Sequence, residues 1–171
     1  HQRLGRYFAS LGLLDEAILQ YEAGISRDPH YQDMFYLLGM ALKERGDYDR
    51  ARQQFASALS LNPHDARALN ALGELLFNDE QYEEALACFE KAFEVAPDYG
   101  DVIDNISQTM KAQGKGDAVI ERYQNLLETN PDQPFIHYIL GRDLVESGRS
   151  EDGMHHFAET VRLDPMLDGA R

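Results

Sequence analysis

The sequence has 171 residues, of which 43% are apolar and 27% are charged, and these values fit one globular domain better than a disordered chain. Its net charge of −14 argues against binding to nucleic acid or to an anionic membrane surface, because both need clustered Lys and Arg. The single cysteine, Cys88, allows no disulfide within the chain, and no apolar run approaches the roughly 18 residues of a membrane-spanning helix.

Prolines, glycines and aromatic residues recur at a fixed spacing of 34 residues. The proline column consists of Pro29, Pro63, Pro97, Pro131 and Pro165. One glycine column holds Gly5, Gly39, Gly73 and Gly141 with Ser107 in the gap, and the other holds Gly12, Gly46, Gly114 and Gly148 with Glu80 in the gap. An aromatic column holds Tyr21, Phe55, Phe89, Tyr123 and Phe157. Columns that share one period indicate a repeated structural unit.

In chain order, we expect the repeats to occupy residues 1–31, 32–65, 66–99, 100–133 and 134–167, with the start of a further helix at 168–171. The first repeat begins at His1, already inside the unit, and the last segment stops soon after its helix begins. Both ends would expose surfaces that a capped array covers. We therefore expect a longer parent protein with more helices on each side.

Each repeat is predicted to form two helices joined by a short turn, as the second repeat illustrates. Leu38, Gly39 and Leu42 lie at helical spacing on one face of a first helix. Gly39 has no side chain, so a neighbouring helix can approach closely at that point. Gly46 stands where the first helix ends, the usual place for a residue with left-handed backbone.

The second helix of the repeat begins with acidic residues and ends at the repeated proline. Asp47 and Asp49 lie at its start, where negative charge is favoured by the helix dipole. Ala51 and Phe55 lie one turn apart and face the first helix. Pro63 ends the helix, because the residue before a proline disfavours helical backbone. A hairpin this short cannot bury its apolar face alone, so neighbouring repeats must stack.

The repeat resembles the tetratricopeptide repeat over essentially the whole chain. The family's signature positions hold Gly39, Tyr48, Ala51, Phe55, Ala58 and Pro63 in the second repeat, and Gly73, Tyr82, Ala85, Phe89, Ala92 and Pro97 in the third. The resemblance implies an all-α fold, a right-handed superhelix of five helix-turn-helix repeats with the first and last truncated. The fourth repeat departs from the pattern at Ser107, Gly116, Val119 and Leu126, so we expect a repacked, less regular hairpin there.

The resemblance also implies that the first helices line a concave groove that holds a peptide. A second stripe of residues on each first helix supplies the candidate groove residues. It is rotated by about a third of a turn from the packed face, because successive helical residues are about 100° apart. They are Arg6, Tyr36, Met40, Lys43, Asn70, Glu74, Phe77, Asp104, Gln108, Lys111, Tyr138 and Arg142. We expect this stripe to have no packing role within its hairpin, although Phe77 and Tyr138 could instead pack against the adjacent hairpin. Aromatic and basic residues are types that anchor interfaces and bind carboxylates.

The predicted function is a non-catalytic adaptor or scaffold that binds a peptide segment or a partner domain in the groove. Two alternatives remain open: a scaffold that assembles with copies of itself, and a non-catalytic segment of a larger enzyme or of a secretion or assembly machine. Residues 66–171 carry nine basic and 21 acidic residues, a net charge of −12, so a basic partner is a further alternative. The partner is a protein or peptide rather than a nucleic acid, and no insertion into a membrane is expected for this segment.

The sequence predicts no cofactor and no metal site. The six histidines form no His-x-x-x-His or Cys-His cluster, and His137, whose column holds Phe35, Leu69 and Ile103 in the three preceding repeats, is expected to be packed. Residues 113–116 lack the spacing of a phosphate-binding loop, since the 34-residue period already explains Gly114. The sequence does not fix the compartment: the cytoplasm is slightly favoured, and the periplasm stays open because the segment looks like a fragment.

Overall fold

The computed structural model describes residues 1–167, which are helical throughout and contain no strand. The ten helices of this part are α1 (Gln2–Ser10), α2 (Leu14–Arg27), α3 (Gln32–Arg45), α4 (Tyr48–Leu61), α5 (Ala66–Asn78), α6 (Tyr82–Val95), α7 (Gly100–Ala112), α8 (Gly116–Thr129), α9 (Pro134–Glu146) and α10 (Ser150–Leu163). The prediction of an all-α fold of paired helices is confirmed. The predicted further helix at 168–171 lies outside the described residues.

The chain divides into two compact units, His1–Val95 with helices α1 to α6 and Ala96–Arg171 with helices α7 to α10. Within each unit, a first and a second helix form a hairpin, and each hairpin falls inside one predicted repeat. None of the helices in residues 1–167 is both long enough and apolar enough to span a membrane.

A glycine on the first helix and a ring on the second helix form the packing centre of each hairpin in the first unit. A Cβ atom built on Gly39 would lie 2.6 Å from Cε1 of Phe55, so the ring packs directly on the α3 backbone. Phe55 and the flanking Ala51 and Ala58 are each 0% exposed. The first and third hairpins repeat this contact with Tyr21 on Gly5 and Phe89 on Gly73.

The turn between the helices needs left-handed backbone, and one repeat supplies it without glycine. Gly46 ends α3 with a φ of 90°, as the sequence predicts. In the third hairpin the same position is Glu80, with a φ of 61°. Left-handed backbone costs a residue with a Cβ atom about 1–2 kcal/mol, so Glu80 is a point of strain.

The fourth hairpin, α7 with α8, packs less closely along its length than the hairpin of α9 with α10. Ser107 replaces the glycine and is 0% exposed, so a side chain is buried where a regular repeat has none. Tyr123 is buried and donates a hydrogen bond from its hydroxyl to the carbonyl oxygen of Ile103, at 2.6 Å. The predicted repacking of this repeat is therefore present.

A pair of histidines joins the two helices of the fifth hairpin. The Nδ1 atoms of His137 and His156 lie 2.9 Å apart, and Nε2 of His137 lies 2.9 Å from the carbonyl oxygen of Pro131. A carbonyl only accepts, so Nε2 of His137 donates to Pro131. His137 is buried, as predicted.

Candidate protein-binding surface

In the first unit, six side chains of two neighbouring first helices form a continuous surface, here called the α3–α5 surface. It consists of Tyr36, Met40 and Lys43 on α3 and Arg67, Asn70 and Glu74 on α5. Two contacts flank this surface: the Arg67 guanidinium carbon lies 4.7 Å from the centre of the Tyr36 ring, and the Lys43 ammonium pairs with Glu74. Met40 lies between these contacts along α3 and is 37% exposed.

Asn70 and Glu74 hold the α5 side of this surface in place. Asn70 is buried and donates from Nδ2 to Oε1 of Glu74 at 2.7 Å. Glu74 thus binds Lys43 through one carboxylate oxygen and Asn70 through the other. The polar residues are fixed by one another, which leaves the thioether of Met40 as the adaptable part of the surface.

Arg67 is held by the turn before α5 as well as by Tyr36. Asp65 caps α5 by accepting hydrogen bonds from the backbone amides of Arg67 and Ala68. The hydrogen bond to Asp65 raises the pKa of the Arg67 guanidinium, and Asp33 adds to this. Burial raises the pKa of the Tyr36 hydroxyl, while the charge of Arg67 opposes that effect. The Tyr36 side chain therefore stays neutral with its ring fixed beneath a cation.

The expectation that the stripe has no packing role within its hairpin is wrong for its aromatic members. The ring centre of Tyr36 lies 6.1 Å from that of Phe55 on α4. Phe77 lies 5.4 Å from Tyr82, and Tyr138 lies 6.0 Å from Phe157. These distances suit tilted aromatic pairs. Each of these rings therefore packs against the second helix of its own hairpin.

Arg6 lies on α1, at the repeat position that Met40 holds on α3. Its side chain is exposed, and it pairs with no carboxylate among residues 1–167. Nearby, the Tyr31 hydroxyl at the start of α3 donates to Oε1 of Gln2, at 2.8 Å, which ties α1 to α3. Arg6 is therefore a cation on a fixed helix.

In the second unit, the candidates form a polar cluster between α7 and α9, here called the α7–α9 cluster. Its centre is Asp143, which is 3% exposed. Asp143 accepts from Ser107 Oγ at 2.6 Å, from Lys111 Nζ at 3.1 Å and from Arg142 Nε at 3.2 Å. These donors satisfy the buried carboxylate, which would otherwise be costly.

The remaining candidates lie around this centre. Arg142 donates to Asp104 at 2.5 Å, and Gln108 donates to the other oxygen of Asp104 at 2.7 Å. Lys111 also donates to Glu146, at 2.6 Å. Burial opposes the charge of Lys111, but its hydrogen bonds to Glu146 and Asp143 outweigh burial and raise its pKa. Lys43, Lys111 and Arg142 are all paired within the chain.

Sequence reasoning missed Asp143, although a signal was present. The same repeat position holds Ala41, Leu75 and Thr109 in the three preceding repeats, and all of these are buried. A carboxylate in such a column must be paired, which would have indicated Ser107 and Lys111 on the preceding first helix. Within residues 1–167, no three His, Cys, Asp or Glu side chains are grouped to hold a metal ion.

Paired helices with a glycine–ring contact, a left-handed turn and a 34-residue period define the class of helical-hairpin repeat proteins. Two sequence profiles described as tetratricopeptide repeat match residues 1–31 and 36–99. The chain belongs to the tetratricopeptide repeat family. No curated protein sequence matches it.

Solved structures share this fold at low identity. MamA from Desulfovibrio magneticus RS-1 is 23% identical, with a TM-score of 0.70, and the match covers 98% of this chain and 94% of that one. PilF of Pseudomonas aeruginosa is 19% identical, with a TM-score of 0.74, over 98% of this chain and 77% of that one. YrrB, described as a TPR protein with an unusual peptide-binding site, is 18% identical, with a TM-score of 0.66. That match covers 99% of this chain and 87% of that one.

Proposed function

We propose that this chain is a non-catalytic scaffold that binds an extended segment of a partner protein across its first helices. Membership of a repeat family whose neighbours include a peptide-binding protein supports a role in protein interaction. The α3–α5 surface and the exposed cation of Arg6 support the choice of these helices over the second helices.

The observation that carries the proposal is the exposed Met40 between two polar contacts. An apolar side chain of the partner would contact Met40, whose flexible thioether adapts to different shapes. Tyr36 with Arg67 on one side and Lys43 with Glu74 on the other would exclude water around that contact. Affinity then comes mainly from the apolar contact, because the neighbouring charges are already paired.

Arg6 would set the direction in which the partner segment crosses α1 and α3. Because it occupies the repeat position of Met40 on α1, a segment that crosses both helices would place an acidic side chain near Arg6 and an apolar one at Met40. Charge pairs of this exposed kind contribute more to specificity than to affinity. The preferred partner motif therefore combines one apolar and one acidic residue.

A peptide-display selection against the full chain tests this function, followed by affinity measurements on the selected peptides. Met40→Arg should weaken their binding about tenfold or more, the effect of losing about 1.4 kcal/mol. The matched control is Met154→Arg, since Met154 is 62% exposed on α10 and should leave binding unchanged. Helicity by circular dichroism should be equal in both variants. Selected peptides that bind the Met40 variant as well as the wild type would contradict the proposal.

A second candidate function is association between copies of this chain through the first hairpin. Large apolar side chains are exposed there, namely Leu4, Tyr7, Leu11, Leu13 and Leu19. Several exposed large apolar side chains on one hairpin favour a contact with another protein surface. Light scattering coupled to size exclusion should then show a mass that rises with concentration, and Leu19→Glu should abolish the rise. A mass that stays at one chain at every concentration would exclude this candidate.

A further inference from the structure

A cavity in the second unit lies where the fourth repeat lacks a tyrosine. The same repeat position holds Tyr48 and Tyr82 in the two preceding repeats, and Gly116 in the fourth. In the third repeat, the Tyr82 ring pairs with Phe77, whose own position is taken by Lys111 in the fourth repeat. Both rings of the pair are therefore absent from the fourth hairpin.

The space left behind is a cavity of about 260 Å³ between α7, α8 and α9. A methyl group added to Gly116 would meet only the Cγ atom of Lys111, at 4.0 Å. Gly116 begins α8 and does not have a positive φ, so nothing in the backbone requires glycine at this position. The cavity thus opens at the residue that carries a tyrosine ring in the second and third repeats.

The lining of the cavity carries an excess of negative charge. Asp117, Asp143 and Glu146 line it with only Lys111 as a cation, and Ile120 supplies an apolar wall. Asp143 is satisfied by the α7–α9 cluster, and Glu146 accepts from Lys111 at 2.6 Å while its side chain stays 54% exposed. Asp117 is exposed and forms no ion pair among residues 1–167. Residues 96–171 contain seven basic and fourteen acidic residues, which extends the negative field around the opening.

We propose that this cavity receives the guanidinium group of an arginine side chain from the partner protein. The planar guanidinium takes the place of the missing ring and donates to the carboxylates of Asp117 and Glu146. The methylene groups of the arginine side chain pack against Ile120. Lysine fits less well, because a compact ammonium leaves the flat space unfilled. A neutral ring would fill the space without offsetting the carboxylates. This inference rests on the proposed binding of a protein partner.

The test uses N-acetyl-arginine amide as the probe and N-acetyl-citrulline amide, its neutral counterpart of the same shape, as the control. Binding is followed by amide chemical shifts in the isotopically labelled full chain. The arginine probe should give weak, saturable shifts at Gly116 and Asp117, and the citrulline probe should give none there. Equal shifts with both probes would overturn the role of charge, and no saturable shifts would overturn the site.

Three variants locate the site. Gly116→Tyr restores the residue of the regular repeats, so it should fold, fill the cavity and abolish the shifts. Ser150→Tyr makes the same change at the equivalent position of the fifth repeat and should leave arginine binding intact. Asp117→Asn should weaken binding without filling the cavity. Arginine binding that survives in Gly116→Tyr would place the probe elsewhere and refute the inference.

The result can be separated from the proposed function. Met40→Arg lies in the other unit and should remove the binding of display-selected peptides while leaving the arginine shifts unchanged. If Met40-dependent peptides bind but the arginine probe does not, the inference about the cavity fails and the proposed function stands. If the arginine probe binds but no peptide depends on Met40, the proposed surface fails instead.

Discussion

Replacing Phe55 with alanine tests the packing of the first unit at its centre. The Phe55 ring is 0% exposed, lies on the backbone at Gly39 and pairs with Tyr36 at 6.1 Å. Emptying a buried aromatic site costs about 3–5 kcal/mol, and loss of the aromatic pair is part of that cost. Ala51 and Ala58 beside the ring are too small to fill the space, so we expect a value in the upper half of the range.

Chemical denaturation followed by circular dichroism measures this loss, because the signal follows the loss of helix in the chain. The matched control is Phe157→Ala, the same substitution in the same repeat column. Phe157 is only partly buried, so its loss should cost clearly less than that of Phe55. Equal losses at the two positions would refute the dependence of the loss on burial, because Phe157 also lies on a glycine, Gly141. A loss at Phe55 below about 1.5 kcal/mol would refute the claim that the glycine–ring contact organises the hairpin.

Three further predictions concern single features of the fold. Glu80→Gly should stabilise the chain by about 0.5–1 kcal/mol in a denaturant titration, since relief of left-handed strain exceeds the entropy cost of glycine. Asp65→Ala should destabilise it by about 1–3 kcal/mol, because the α5 cap and a partner of Arg67 are both lost. Burial, with the charge of His137 adding to it, lowers the pKa of His156 below 6.5, so the unfolded chain takes up this proton first. Melting temperature should therefore fall as pH drops below 6.5, and His156→Gln should flatten that slope.

The parts of the fold that sequence predicted are those that sterics impose. A ring can rest on a helix backbone only where glycine stands, so Gly39 and Phe55 fix the geometry of the hairpin. A proline cannot continue a helix, so Asn62 before Pro63 adopts extended backbone and α4 ends there. These constraints act within one repeat, and a single sequence is enough to recognise them.

The parts that sequence missed are contacts between repeats. Lys43 pairs with Glu74, and Arg142 pairs with Asp104, across neighbouring first helices. Each pair is separated by close to one repeat length, so a comparison of charges between adjacent repeats would have detected both. Reading each helix on its own made these residues look available to a partner. Met40 and Arg6 keep that interpretation because their side chains are exposed.

The departures of the fourth repeat are connected through one carboxylate. Asp143 is tolerable in a buried column only because Ser107, Lys111 and Arg142 donate to it. Ser107 stands where the other repeats have glycine, and Lys111 stands where the third repeat has Phe77. With Lys111 drawn toward Asp143, no ring remains for a tyrosine at residue 116 to pack against, and Gly116 leaves the cavity open. The polar cluster and the cavity are therefore parts of one replacement. Substitutions in the cluster should be non-additive in stability, because each donor compensates for the same buried charge.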